Sequence, residues 1–223
     1  MSAPVVGQGK KLVVVGDSGV GKTCIIGRFL KGTFDANSPS GGMGYASKTI
    51  EIPEMGESLV LDIWDTVGQE RYRSLTKFFF QGSKMVILVY DITIKETFDS
   101  LKNDWYKLVK EYSDPNVLIG IAGNKSDLYD DEAVSEQEAR EFAKSIGAVF
   151  RLTSAQNNSG ICELFRDMAI KFLDPNSGII TSNDSKPENK HEKDELKQNI
   201  KIDRNDVAKI NEEQKKKKKK NPC

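Results

Sequence analysis

Eight residues near the N-terminus, Gly16-Asp17-Ser18-Gly19-Val20-Gly21-Lys22-Thr23, place a glycine and then Gly-Lys-Thr between the apolar run "KLVVV" and the helix-like "CIIGRFL". In a strand, turn, helix context this spacing lets a glycine-rich backbone wrap phosphate oxygens with its N–H groups, helped by the positive end of the following helix. Ser18, Gly19, Val20, Gly21, Lys22, Thr23 and Cys24 are the residues expected on phosphate. Lys22 supplies the cation for the β- and γ-phosphates, and the Thr23 hydroxyl is also a ligand for Mg²⁺. A glycine turn with a chance Lys-Thr is the bland reading, and the flanking elements weigh against it.

Three later stretches extend this chemistry. In "DIWDTVGQE", Asp62 to Glu70, Asp65 ends a strand, where a carboxylate suits Mg²⁺ held through water. Gly68 follows in a turn whose N–H can meet a γ-phosphate, and Gln69 is placed to orient an attacking water. In "NKSD", Asn124 to Asp127, the Asp127 carboxylate can accept from both N1–H and the 2-amino group of guanine, a donor pair that adenine lacks. Lys125 can lay its aliphatic stem along a base, and Asn124 can either bond the base or brace the loop. In "TSAQ", Thr153 to Gln156, the Ala155 N–H can reach the guanine 6-oxo group, with Ser154 and Gln156 completing the base-side set. Each stretch alone is a common turn signature. Together, in this order, they specify a guanine nucleotide and disfavour an ATP-using enzyme.

Such residues need a frame, and the hydrophobic pattern supplies one. The runs "KLVVVG", "LVLDIWD", "MVILVYD", "VLIGIAGNK" and "AVFRLTSA" alternate with amphipathic segments, which reads as an α/β fold: a six-stranded, mostly parallel sheet with helices on both faces. Phe98, Leu101, Trp105, Leu108, Val109 and Tyr112 recur at helical spacing, as do Ile161, Leu164, Phe165, Met168 and Phe172, and both series are expected to be core stripes. Ser135 and Glu138 have capping-box spacing, and Gly147 suits the end of the same helix. "SKTIEI" and "LVLDIW" around "PEMGES" predict an antiparallel hairpin.

The chain has 223 residues, 38% hydrophobic and 30% charged, which suits one domain with an appendage. Its zero formal charge hides an asymmetry: residues 1–173 hold 20 basic and 23 acidic side chains, and residues 174–223 hold 13 and 10. The expected division is an N-terminal extension over 1–9, a nucleotide-binding domain over 10–173 and a flexible tail over 174–223. Three scattered cysteines, Cys24, Cys162 and Cys223, fit neither a disulfide framework nor a metal site and point to a reducing compartment. The longest apolar run is too short to span a bilayer.

The four motifs together resemble the Ras superfamily of small GTPases across residues 10–173. "GQERYRSLT", the triplet "FFF", "VILVYDIT" and "TFDSLKNDW" look most like its Rab branch, which regulates vesicle traffic. The resemblance implies a P-loop GTPase fold, GTP and GDP with Mg²⁺ as ligands, and hydrolysis of GTP to GDP and phosphate. It also implies exchange factors, GTPase-activating proteins, a dissociation inhibitor and effectors as partners, with no nucleic acid among them. In that family the first switch loop carries a Thr that ligates Mg²⁺. Aligning on the following strand places Ser40 there, while counting forward from Lys22 places Gly41; the Pro39-Ser40 pair favours Ser40. Val67 replaces the family's Ala, and a stiff β-branched side chain there, with three glycines among residues 41–44, implies slow hydrolysis and a loosely closing switch. The rival reading is a pseudo-GTPase module that holds nucleotide and hydrolyses poorly.

The C-terminal "KKKKKKNPC" is by itself a solvated charge run. Beside a Rab-like domain, one prenyl group on Cys223 with six lysines would meet the two-signal rule for membrane anchoring. That implies a cytoplasmic protein, peripheral on the cytosolic face of intracellular membranes.

Overall fold

A computed structural model describes residues 9–34, 44–66 and 78–178. Ser40, Gly41, Val67, Gly68, Gln69 and Cys223 lie outside the described residues, as does the chain beyond residue 178. The elements are β1 (Lys10–Val15), α1 (Lys22–Lys31), β2 (Tyr45–Ile52), β3 (Glu57–Asp65), β4 (Met85–Asp91), α2 (Lys95–Ser100), α3 (Tyr106–Tyr112), β5 (Leu118–Asn124), α4 (Glu136–Ser145), β6 (Val149–Thr153) and α5 (Ile161–Leu173). A π-turn, Leu101–Trp105, joins α2 to α3, and a 3₁₀ turn, Ser126–Asp131, follows β5.

The sheet runs in the order β2-β3-β1-β4-β5-β6. All neighbours are parallel except β2 and β3, which form the predicted hairpin with Tyr45 opposite Trp64 and Ile52 opposite Glu57. Burial of the sheet on both faces explains why its central strands read as unbroken apolar runs. In β1, Leu12 and Val14 face one core with α1 and α5, and Val13 and Val15 face the other with α2, α3 and α4. β4 divides in the same way, Met85, Ile87 and Val89 against Val86, Leu88 and Tyr90.

The helical stripes pack into these two cores. Phe98, Leu101, Trp105 and Val109 are buried on one side, and Ile161, Leu164, Phe165 and Met168 on the other. Leu108 and Phe172 are partly buried at the margins, and Tyr112 at the end of α3 is 38% exposed. The stripe survives the π-turn because Leu101 and Tyr106 keep right-handed helical dihedrals.

Only half of the capping box forms. Ser135 Oγ accepts the Glu138 N–H at 3.2 Å. The Glu138 carboxylate, instead of turning back to the helix start, takes Lys95 Nζ at 2.5 Å and Lys102 Nζ at 3.4 Å. Two cations on the neighbouring helix segment outcompete one backbone N–H for it. Gly147 adopts φ +69° after α4, as a left-handed helix stop requires.

Parallel strands that all end on one side bring the loops after β1, β3, β5 and β6 together. Register fixes two of these meetings: Val14 stands opposite Asp65, and Asn124 opposite Thr153.

Candidate functional site

The loop after β1 folds back through glycines at positive φ, Gly16 at +148°, Gly19 at +80° and Gly21 at +97°. At Gly16 a Cβ would overlap the Val89 carbonyl, and at Gly21 it would overlap the Asn124 side-chain amide. These two glycines are demanded by backbone conformation and by close approach. Gly21 is the N-cap of α1 and has no side-chain cap, so the first N–H groups of the helix face the loop's interior. Lys22 is 5% exposed, and its Nζ donates to the Gly16 carbonyl at 2.9 Å and the Asp17 carbonyl at 2.8 Å. The ammonium group is thereby held inside its own loop.

Asp17 is anchored in turn. One of its carboxylate oxygens accepts from Trp105 Nε1 at 2.8 Å and from Ser100 Oγ at 2.9 Å. The π-turn carries Trp105 and so ties the loop to the helix pair above it.

Thr23, on the first turn of α1, donates from Oγ1 to Asp65 Oδ2 at 2.7 Å. Asp65 ends β3 and is 4% exposed, while its neighbour Thr66 donates to the Val14 carbonyl at 2.9 Å. A hydroxyl and a buried carboxylate meeting beside a phosphate-type loop form an all-oxygen donor set, which fits Mg²⁺ better than a softer metal.

On the opposite side, Asn124 is 2% exposed and braces three loops. Its Nδ2 donates to the Val20 carbonyl at 2.7 Å, and its Oδ1 accepts from Thr153 Oγ1 at 3.2 Å. Of its two sequence-level roles, the geometry displays bracing. Lys125 has φ +66°, and its Nζ meets Asp91 Oδ2 at 2.5 Å. Asp91 is fully buried; its Oδ1 accepts from the Thr93 N–H at 2.9 Å and the Thr93 hydroxyl at 2.7 Å. Ser154 Oγ donates to Asp127 Oδ1 and accepts the Asn157 N–H at 3.2 Å. Ser154 thus holds the carboxylate in place.

A cavity of about 170 Å³ lies among these parts. Gly19, Gly21 and Cys24 line it from the β1 loop, Asn124, Lys125 and Asp127 from the β5 loop, and Ala155 and Gln156 from the β6 loop. Phe34 and Leu128 complete the wall. Three segments well separated in sequence, residues 19–24, 124–128 and 155–156, therefore share one concave surface. Phe34, Leu128, Asp91 and Arg28, which donates to the Ala155 carbonyl at 2.7 Å, were not legible as site residues. Phe34 had a weak signal, an aromatic just past the glycine that ends α1.

A glycine-rich phosphate-type loop at the start of a helix, a strand-end carboxylate and a base-sized cavity at the carboxyl ends of parallel strands define a P-loop nucleotide-binding domain. Residues 11–174 match the model of the Ras family. The chain is 43% identical over 160 residues to human Ras-related protein Rab-22A, covering 71% of this chain and 81% of the relative. To human Ras-related protein Rab-31 it is 43% identical over 177 residues, covering 76% and 89%, and to human Ras-related protein Rab-30 it is 36% identical over 179 residues, covering 79% and 87%. The chain belongs to the Ras family, within its Rab branch. It is a small GTPase, an enzyme that binds GTP and GDP, hydrolyses GTP and regulates membrane traffic. The rival reading of a poorly hydrolysing nucleotide module is not favoured. No helix among the described residues is long and apolar enough to cross a membrane.

Proposed function

We propose that the switch works with Mg²⁺ and with the following division of roles. The backbone N–H groups from Ser18 to Cys24, together with Lys22, bind the phosphates. Thr23, Asp65 and Ser40 hold Mg²⁺, which supplies charge neutralisation at the phosphates when bound. Gly68 meets the γ-phosphate, and Gln69 orients the water that attacks it. Asp127 reads N1–H and the 2-amino group of guanine, the Ala155 N–H reads the 6-oxo group, Lys125 flanks the base, and Asn124, Ser154 and Gln156 shape the loops around it. The observation that carries this reading is the convergence of the loops after β1, β5 and β6 on a single cavity, with Thr23 and Asp65 in contact beside them.

Val67 and the glycines of the first switch make unaided hydrolysis slow, so an activating protein is required for timely switching, and an exchange factor, a dissociation inhibitor and effectors of the Rab type act on it. The domain spans residues 10–173, and the tail acts as a membrane anchor on the cytosolic face of intracellular membranes, through prenylated Cys223 and the lysine run Lys215 to Lys220.

Single-turnover hydrolysis of GTP with a Mg²⁺ titration tests these roles together. Phosphate release should require Mg²⁺ and should fall at least about 10-fold in Gln69→Leu, with the metal dependence displaced in Ser40→Ala. Equal rates in Gln69→Leu and wild type would remove Gln69 from the reaction, and an unchanged metal titration in Ser40→Ala would remove Ser40 from the metal. An unmodified C-terminal peptide, found by mass spectrometry of the protein from its own cells, would remove the lipid anchor.

A further inference from the structure

Arg28 lies in the last turns of α1, and its guanidinium makes three hydrogen bonds, all to backbone carbonyls. Nε donates to Ala155 at 2.7 Å, one terminal nitrogen to Gln156 at 2.8 Å and the other to Gly32 at 2.7 Å. Its Cζ also sits 5.8 Å from the centre of the Phe34 ring. Gly32 turns the chain out of α1 with φ +71°, and its N–H returns to the Arg28 carbonyl at 2.9 Å. One side chain therefore joins two parts of the cavity wall, Phe34 and the Ala155–Gln156 turn.

We infer that Arg28 is a positioning residue that sets recognition of the guanine 6-position, by fixing the turn that aims the Ala155 N–H. The inference rests on the guanine reading above. The Ala155 N–H shares its peptide plane with the Ser154 carbonyl, and Arg28 holds the next two planes through the Ala155 and Gln156 carbonyls; because peptide planes are stiff, this fixes the Ala155 backbone on its C-terminal side. From the other side the turn is closed by paired backbone bonds between Ser154 and Ser159, at 3.0 and 3.2 Å. The planar fork of an arginine can serve three separated acceptors at once, which the compact ammonium of a lysine cannot. Asp127, which the guanine reading sets at the 2-amino edge, is held by the Ser154 hydroxyl, with which Arg28 shares no hydrogen bond. Loss of Arg28 therefore disturbs one edge of the base and spares the other.

The test uses the full chain, with Arg28→Met, Arg28→Lys and, as a control away from the cavity, Arg166→Met. Release of GDP is followed by displacement of a fluorescent analogue, and competition is measured with GDP, with 6-thio-GDP, whose sulfur is a poor acceptor at the 6-position, and with IDP, which lacks the 2-amino group. Both Arg28 variants should release GDP about ten-fold faster, the size expected for losing charge-assisted hydrogen bonds. Their preference for GDP over 6-thio-GDP should shrink, while the preference over IDP and the behaviour of Arg166→Met stay as in wild type. The inference is overturned by wild-type release in Arg28→Lys, or by faster release with both preferences unchanged or both reduced alike. Should Arg28→Met not fold, Arg28→Lys, with the same charge and a similar stem, gives the same readout. Wild-type protein that retains no GDP would instead sink the guanine reading itself.

Discussion

Asp91 and Lys125 should respond unequally to losing one another. The Asp91 side chain is 1% exposed and that of Lys125 is 34% exposed, with 2.5 Å between Oδ2 and Nζ. Removing the lysine leaves a buried carboxylate without its cation, a loss of about 3–5 kcal/mol for a fully buried pair. Two hydrogen bonds from Thr93 remain on that carboxylate, which brings the expected loss for Lys125→Met to about 2–3 kcal/mol. Asp91→Asn, by contrast, keeps the shape and still accepts from Thr93, while the partly exposed ammonium turns to water. That change should cost only about 1 kcal/mol. The double variant should be less destabilised than the sum of the two, with a coupling of about 1–2 kcal/mol. Urea unfolding followed by circular dichroism at two GDP concentrations separates intrinsic stability from stabilisation by ligand. Equal losses in the two single variants, or strict additivity in the double, would refute the buried-charge reasoning.

Other expectations follow from the same geometry. Asn124→Asp sets a carboxylate oxygen against the Val20 carbonyl, and should speed GDP release by at least about ten-fold, since a buried acceptor loses its donor and gains a repulsion; stopped-flow displacement measures it. Chelating Mg²⁺ with EDTA should also speed release in wild type and much less in Thr23→Ala, as the same displacement assay reports. The Glu138 carboxyl is held below its ordinary value of 4.5, first by the hydrogen bond from Lys95 and then by its charge. Its link between α4 and α2 is therefore fully present above that value and lost as pH falls through the lower folded one. Glu138→Gln should flatten the acid limb of the thermal-unfolding profile between about pH 5 and 3.

The strands were legible because burial on both faces leaves unbroken apolar runs, and the glycine-rich loop because its spacing answers a backbone need. Asn124 was legible as a residue but not in its role: the choice between bonding a base and bracing a loop depends on the Val20 carbonyl, 104 positions away. Arg28 and Asp91 carry no local signature and Phe34 only a weak one, since each acts through partners that only the assembled sheet supplies. Glu138 shows the same limit in reverse. A capping spacing was present, and its carboxylate was drawn away by lysines whose proximity sequence order does not disclose.

The hydrogen bond from Trp105 to Asp17 makes the loop optically addressable. The chain has two tryptophans: Trp105, buried and bonded to the loop, and Trp64, edge-on to Tyr45 with Lys11 5.2 Å from its ring centre. An indole whose N–H is bound to a carboxylate emits differently from one beside a phenol, so the intrinsic emission of this protein has two separable sources. In Trp64→Phe the remaining tryptophan signal comes from the indole bonded to Asp17 of the phosphate loop, and nucleotide exchange there should become observable without a label.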